Sequence, residues 1–164
     1  MNMEKKFELT DNFIINAFGV KLFQIKCTKS FKYAKEGDLG GYVEKDENLD
    51  QESNAWVSGN AWVSGNARVS GNAEVSGNAW VSGDAEIDNN NKHCGFDCFG
   101  SANRHTHAYL TKENKVEITC GCFRGSIEEF EKRVEETHSG TIYEKQYKAI
   151  IDVIKIKFGL TDLI

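Results

Sequence analysis

From Asn54 to Ile87 the chain writes one six-residue unit almost without change, "NAWVSGNAWVSGNARVSGNAEVSGNAWVSGDAEI". Ala stands at 55, 61, 67, 73, 79 and 85, and Val or Ile at 57, 63, 69, 75, 81 and 87. Ala-x-Val is strand alternation: the outer two side chains point to one face and the middle one to the other. Ser-Gly-Asn, once Ser-Gly-Asp, is turn chemistry, because Gly and Asn enter φ > 0 at little cost. A short strand followed by a short corner, repeated, predicts a solenoid whose interior is the Ala/Val side. Upstream, Val43 and Leu49 fall in the Ala phase, so two degenerate hexads precede the six clear ones.

The flanks carry other periods. "IINAFGVKLFQIKC" reads as two strands around a turn at "NAFG", with Leu22, Phe23, Ile25 and Cys27 strand-like and Gln24 and Lys26 alternating outward. "KEGDLGGYVEK" reads as a glycine-rich turn. After the repeat, "NNNKHCGFDCFGSANRH" reads as a polar connector. "THAYLTKENKVEITCGCF" reads as a hairpin over Ala108–Leu110 and Val116–Cys120. Two helices follow. Ser126 with Glu129 forms a capping box ahead of Ile127, Phe130 and Val134. Thr141 with Glu144 forms another ahead of Tyr147, Ile150, Ile151, Ile154 and Phe158, and Gly159 closes the second helix. The expected organisation is therefore an N-terminal β cap over residues 1–42, a repeat over 43–88, and a C-terminal ββαα unit over 89–164.

Composition narrows the function classes. No window approaches the roughly 18 apolar residues of a membrane helix, and "MNMEKKFELTDN" has neither the apolar stretch nor the cleavage site of a signal peptide. A cytosolic protein with no membrane partner is expected. The net charge of −5 is uneven: residues 43–88 hold nine acids against two bases, −7, so the rest carries +2. An acidic repeat makes direct nucleic-acid binding by that surface unexpected. Five cysteines, an odd number, read as thiols rather than a disulfide framework.

Val-Ser-Gly-Asn-Ala-x resembles the hexapeptide repeat of left-handed parallel β-helices, in which three hexads make one triangular coil. The order "GDLGGYVEKDENLDQESNAWV", Asn-Ala-x-Val hexads, "CGCFRGSIEEF" and a terminal helix extends the likeness over nearly the whole chain. In that order it is similar to a phage and prophage family of hexapeptide-repeat proteins with a C-terminal "GCF.G" ββαα unit. The resemblance implies a mainly β fold with C-terminal α, built on a left-handed β-helix of two to three coils. It also implies dimers or trimers, and a viral accessory protein in the host cytoplasm.

With three hexads to a coil, Trp62 falls over Trp80, Trp56 over Glu74, and Arg68 between Asp50 and Glu86. If Ala and Val face inward, Trp56, Trp62, Trp80, Arg68, Glu74 and Glu86 form an outer interface for self-association or a partner. A second candidate is an anion-binding group at Arg104, His105 and His107, since His-x-His on a strand shares a face and Arg clamps phosphate. Cys94-x3-Cys98 with His93 fits zinc-ligand spacing, but Cys120-x-Cys122 is too tight for a usual knuckle, and no metal or cofactor is expected. The repeat holds no histidine of the kind hexapeptide acyltransferases use, and no nucleophile elbow, P-loop or H-E-x-x-H occurs. The reading is a non-enzymatic, phage-encoded, anti-CRISPR-like inhibitor of a host defence protein. The alternatives are an oligomeric sponge for a small nucleotide signal and a structural or assembly protein of a virion.

Overall fold

The computed structural model describes residues 4–161. The outer ends of the first and last segments, 1–3 and 162–164, lie outside the described residues. The chain forms β1 (Phe7–Ile15), β2 (Lys21–Cys27), β3 (Leu39–Val43), β4 (Trp56–Val57), β5 (Trp62–Val63), β6 (Arg68–Val69), β7 (Glu74–Val75), β8 (Trp80–Val81), β9 (Glu86–Ile87), β10 (His93–Phe99), β11 (Arg104–Leu110), β12 (Val116–Cys120), β13 (Phe123–Ser126), α1 (Ile127–His138) and α2 (Ile142–Lys157). It is a mainly β protein with two C-terminal helices.

The hexads do as their pattern dictates. β4, β5 and β6 pair in parallel with β7, β8 and β9, and the partners Trp56↔Glu74, Trp62↔Trp80 and Arg68↔Glu86 each lie three hexads apart. Two coils therefore lie one on the other, with one strand of each coil on each of three sides. Every repeat Ala and Val, and Ile87, is buried; fully burying a Val or Ile side chain contributes about 1.5–3 kcal/mol. Each corner turns on a glycine in the left-handed region, for example Gly59 at φ +63 and Gly77 at φ +65. The corner amides stack as well: Asn54 donates to Asn72 at 3.1 Å and Asn60 to Asn78 at 3.4 Å.

The degenerate hexads differ from their expected phase. Val43 pairs with Val63, and Leu49 bridges to Val69. Both take the Val position rather than the Ala position, because the corner leading to Ala55 is two residues longer than Ser-Gly-Asn. The "GDLGGYV" stretch is also not a turn throughout, since its second half is β3. Glycine is required there by close approach to the first coil. A Cβ on Gly41 would lie 2.6 Å from the Ala61 carbonyl oxygen, and one on Gly40 would lie 2.7 Å from that of Val57.

β1 and β2 form the expected hairpin. β3 joins it antiparallel and runs on into the parallel column, giving the order β1-β2-β3-β5-β8. The hairpin and the repeat share one core, in which Phe7, Ile25 and Cys27 meet the Ala/Val interior. Above the first coil only β3 and Leu49 continue the parallel column, so other carbonyls of its upper rim lack a strand partner, which would cost free energy if left unmade. Buried Lys6 donates to Ser53 O and Ala55 O, both at 2.6 Å, and buried Asn48 donates to Gly65 O at 3.2 Å and Ala67 O at 2.9 Å. Burial pushes the Lys6 ammonium down to about 8.

The C-terminal unit is larger than a ββαα motif. The "NNNKHCGFDCFG" segment holds strand β10, and "CFRGS" holds β13, so the hairpin β11–β12 lies inside a four-stranded antiparallel sheet. Glycines at 95, 100 and 121 and the polar run before His93 hid these strands from a reading by composition. One face of this sheet (Ala108, Ile118, Cys120) packs on Phe130, Val134, Ile150 and Ile154 of the helices. The opposite face closes the lower rim of the repeat: Tyr109 enters the repeat core, and the Thr119 hydroxyl donates to Trp80 O at 2.7 Å. Ser126 and Glu129 form the reciprocal capping box. At α2 the Thr141 side chain caps Glu144 N–H, but the Glu144 carboxylate turns to Gly140 N.

Candidate functional site

The outward tryptophan face expected from alternation is not exposed. Trp56 is 3% and Trp62 4% accessible, while Trp80 is half-buried. The middle positions do point away from the Ala/Val interior, but other segments cover them. Phe31 packs edge-on against Trp56 at 5.3 Å between ring centroids. β3 lies beside Trp62, with Tyr42 as its register partner. Trp62 and Trp80 stack at 5.4 Å and 24°, as the three-hexad period requires. Of the remaining interface candidates, Arg68 and Glu86 are exposed and Glu74 is half-buried. Arg68 pairs with Asp50 at 3.1 Å. That contact is a diagonal, since the longer corner puts Asn48, not Asp50, opposite Arg68. Among the described residues no ion pair joins Arg68 to Glu86.

The trio Arg104, His105 and His107 is split by the same alternation. His105 and His107 face the repeat, whereas Arg104 shares the other face of β11 with Thr106 and Ala108. What the histidines form instead is a continuous hydrogen-bonded row. Asp97 Oδ1 lies 2.6 Å from His105 Nδ1, and His105 Nε2 lies 2.9 Å from His107 Nδ1. His107 Nε2 lies 3.0 Å from His93 Nδ1, and His93 Nε2 lies 3.3 Å from Asn90 Oδ1. The antiparallel register sets Gly95 directly opposite His107. A Cβ at Gly95 would lie 2.6 Å from His105 Cε1 and 2.7 Å from His107 Nδ1, so only glycine leaves room for the row. β10 shifts register between Phe96 and Phe99, where Cys98 has φ +67. Beside that bulge Asp97 meets both His105 and the Asn78 amide, and so ends the Asn60–Asn78 stack.

The hydrogens on this row can be counted. Asn90 Oδ1 also accepts from Glu74 N–H at 2.9 Å, so it is an acceptor. The Asp97 carboxylate is an acceptor at the other end. Four links between two acceptors need four hydrogens, and three neutral imidazoles supply three. With all three imidazoles neutral, one of the four links lacks a hydrogen. Burial, with the Lys157 charge second, pushes His93 down to about 4. Burial, with the neighbouring histidines second, holds His107 well below the usual imidazole range. At the Asp97 end the hydrogen bond from His105, aided by that from Asn78, outweighs desolvation and holds the carboxyl below its ordinary value. The row fastens the sheet β10–β13 to the second coil, and it ends on an amide rather than on a nucleophile.

The cysteines beside it do not converge. On β10 Cys94 lies on the helix side, against the helical core, while His93 lies on the repeat side. Cys98 and Cys122 are exposed. Among the described residues no cluster of three or more His, Cys, Asp or Glu is arranged to hold a metal ion. Sequence reasoning missed His93, Gly95, Asp97 and Asn90 as members of the row. The available signal was His93 itself, upstream in a polar run, which becomes meaningful once β10 is recognised as a strand paired with β11. Next to the row, a cavity of about 380 Å³ is lined by Asn60, Asn78, Trp80, Asp97, Arg104 and His105 among others.

Fold and site together define a two-coil repeat capped above by a hairpin and below by a sheet–helix unit. Among the described residues no helix is long and apolar enough to cross a membrane. No protein-family model matches the chain, and no curated protein matches it.

Proposed function

We propose that this is a non-enzymatic binding protein that blocks a partner protein in the host cytoplasm, the partner being a component of an antiviral defence system. The observation that carries the reading is an apolar surface on the N-terminal hairpin. Phe13 is 49%, Ile15 64% and Phe18 54% exposed, and β1 is the edge of its sheet. Exposed apolar side chains on an unpaired strand edge are a liability unless a partner covers them. Beside the hairpin tip a groove of about 660 Å³ is lined by Phe18 and Val20 on one side, by Trp62, Glu44 and Asp84 of the repeat, and by Arg124 of β13. A partner segment that adds to β1 or lies in this groove would carry apolar side chains. The sequence resemblance to phage and prophage proteins supports a defence target.

The test is co-expression with defence systems in a host challenged by phage. Wild-type chain should restore infection, and Ile15→Glu combined with Phe18→Glu should abolish rescue while leaving the melting temperature unchanged. Both positions are exposed, so loss of folding is not expected. Full rescue by the double variant would refute the hairpin as the contact, and no rescue of any system by wild-type chain would refute the function. The resemblance also supports left-handed winding and a dimer or trimer, which an experimental electron-density map and sedimentation respectively read.

A further inference from the structure

The chain has four arginines. Arg68 is paired with Asp50 at 3.1 Å and Arg124 with Glu117 at 3.5 Å. The other two, Arg104 and Arg133, make no ion pair among the described residues, and both line one cavity between the sheet β10–β13 and the helices. The cavity measures about 130 Å³, room for about four waters at ~30 Å³ each. No Asp or Glu lines it. Besides Arg104 and Arg133, the polar residues that line it include His138, Thr137 and Tyr147.

Each arginine is supported from behind. Arg104 lies along Gly121, at φ +58, where a Cβ would run into the guanidinium. The Arg133 guanidinium carbon sits 5.5 Å from the centroid of the Phe123 ring, a cation–π contact that leaves its in-plane N–H donors free. His138 stacks on Tyr147 at 5.5 Å. Two arginines that line one small cavity, neither ion-paired among the described residues, offer donors to an anion there. Guanidinium donors from two sides suit a tetrahedral oxyanion, to which each can bind in bidentate fashion.

We propose that this cavity binds a phosphoryl group, either free inorganic phosphate or the terminal group of a phosphomonoester. The partners are Arg104, Arg133 and His138 rather than the Arg104, His105 and His107 set that strand spacing suggested. The site is separate from the apolar hairpin and holds whether or not the hairpin binds a partner.

Calorimetric titration of the full chain at constant ionic strength tests it, with inorganic phosphate in one arm and adenosine monophosphate in the other. Saturable binding is expected in at least one arm, weakened at least about tenfold by Arg104→Gln and by Arg133→Gln. Arg68→Gln should bind as wild type. Tighter phosphate than nucleotide identifies the free ion as the ligand, and the reverse order identifies a phosphomonoester. No saturable binding of either probe up to ~10 mM overturns the proposal, and so does binding that both variants leave intact. Arg104 and Arg133 are exposed, and unchanged circular dichroism of each variant separates loss of ligand from loss of fold.

Discussion

Lowering the pH from about 7 to about 4.5 should loosen the joint between the repeat and the sheet β10–β13, because two of the three histidines in the row are held neutral. The His93 imidazole is pushed from 6.5 down to about 4, and His107 is shifted in the same direction. Between those values the unfolded chain takes up a proton that the folded chain refuses, so stability falls as the pH falls through this window. For His93 the shift amounts to about 3 kcal/mol by pH 4, at 1.36 kcal/mol per unit. With His107 the slope approaches ~2.7 kcal/mol per pH unit, large against a typical total of about 5–15 kcal/mol. The depressed carboxylates act at lower pH: Asp97 and Asp50 are lowered from 3.8 and Glu144 from 4.5, so their contribution is lost mainly below about pH 4.5. Urea unfolding followed by tryptophan fluorescence at a series of pH values measures the slope. His93→Gln should remove about half of it. A midpoint that does not move between about pH 6.5 and 4.5, or a variant that keeps the wild-type slope, would refute the reasoning.

Three further outcomes follow from single contacts. Gly95→Ala should destabilise by about 1–3 kcal/mol, since its Cβ meets two imidazoles; an unshifted melting temperature would show that the row is not tightly seated. Trp62→Ala should cost about 3–5 kcal/mol, whereas Arg68→Ala should cost under about 1 kcal/mol because the Arg68 side of its pair with Asp50 is solvent-exposed. Equal losses in denaturant titrations would contradict the burial assigned to Trp62. Asn48→Ala should cost about 1–3 kcal/mol by leaving Gly65 O and Ala67 O without their donor, and faster amide hydrogen exchange on the neighbouring corner should accompany it.

Much of the architecture was legible from spacing. The Ala-x-Val frame announced its own buried face, and a period of three hexads to the coil placed Trp62 on Trp80. The hairpin turn at Asn16–Gly19 and both helix starts were equally plain, because caps and turns depend on neighbours in sequence. The phase of Val43 and Leu49 was misread, since a two-residue insertion in a corner changes register without changing which face is apolar. Strands β10 and β13 were missed because their residues are held by partners across the sheet and not by local propensity.

The sequence by itself determined which side chains line the repeat, since alternation and turn chemistry act over a few residues and leave one face apolar. The structure alone decided what became of the opposite face. Trp56 lies under Phe31, and Trp62 lies beside a strand from a distant segment, so their exposure depends on chain that alternation does not count. It also decided the company of each candidate ligand group. Strand β11 turns Arg104 to the helices and His105 and His107 to the repeat, and only the packing of β10 and α1 against it supplies the histidine row on one side and a second arginine on the other.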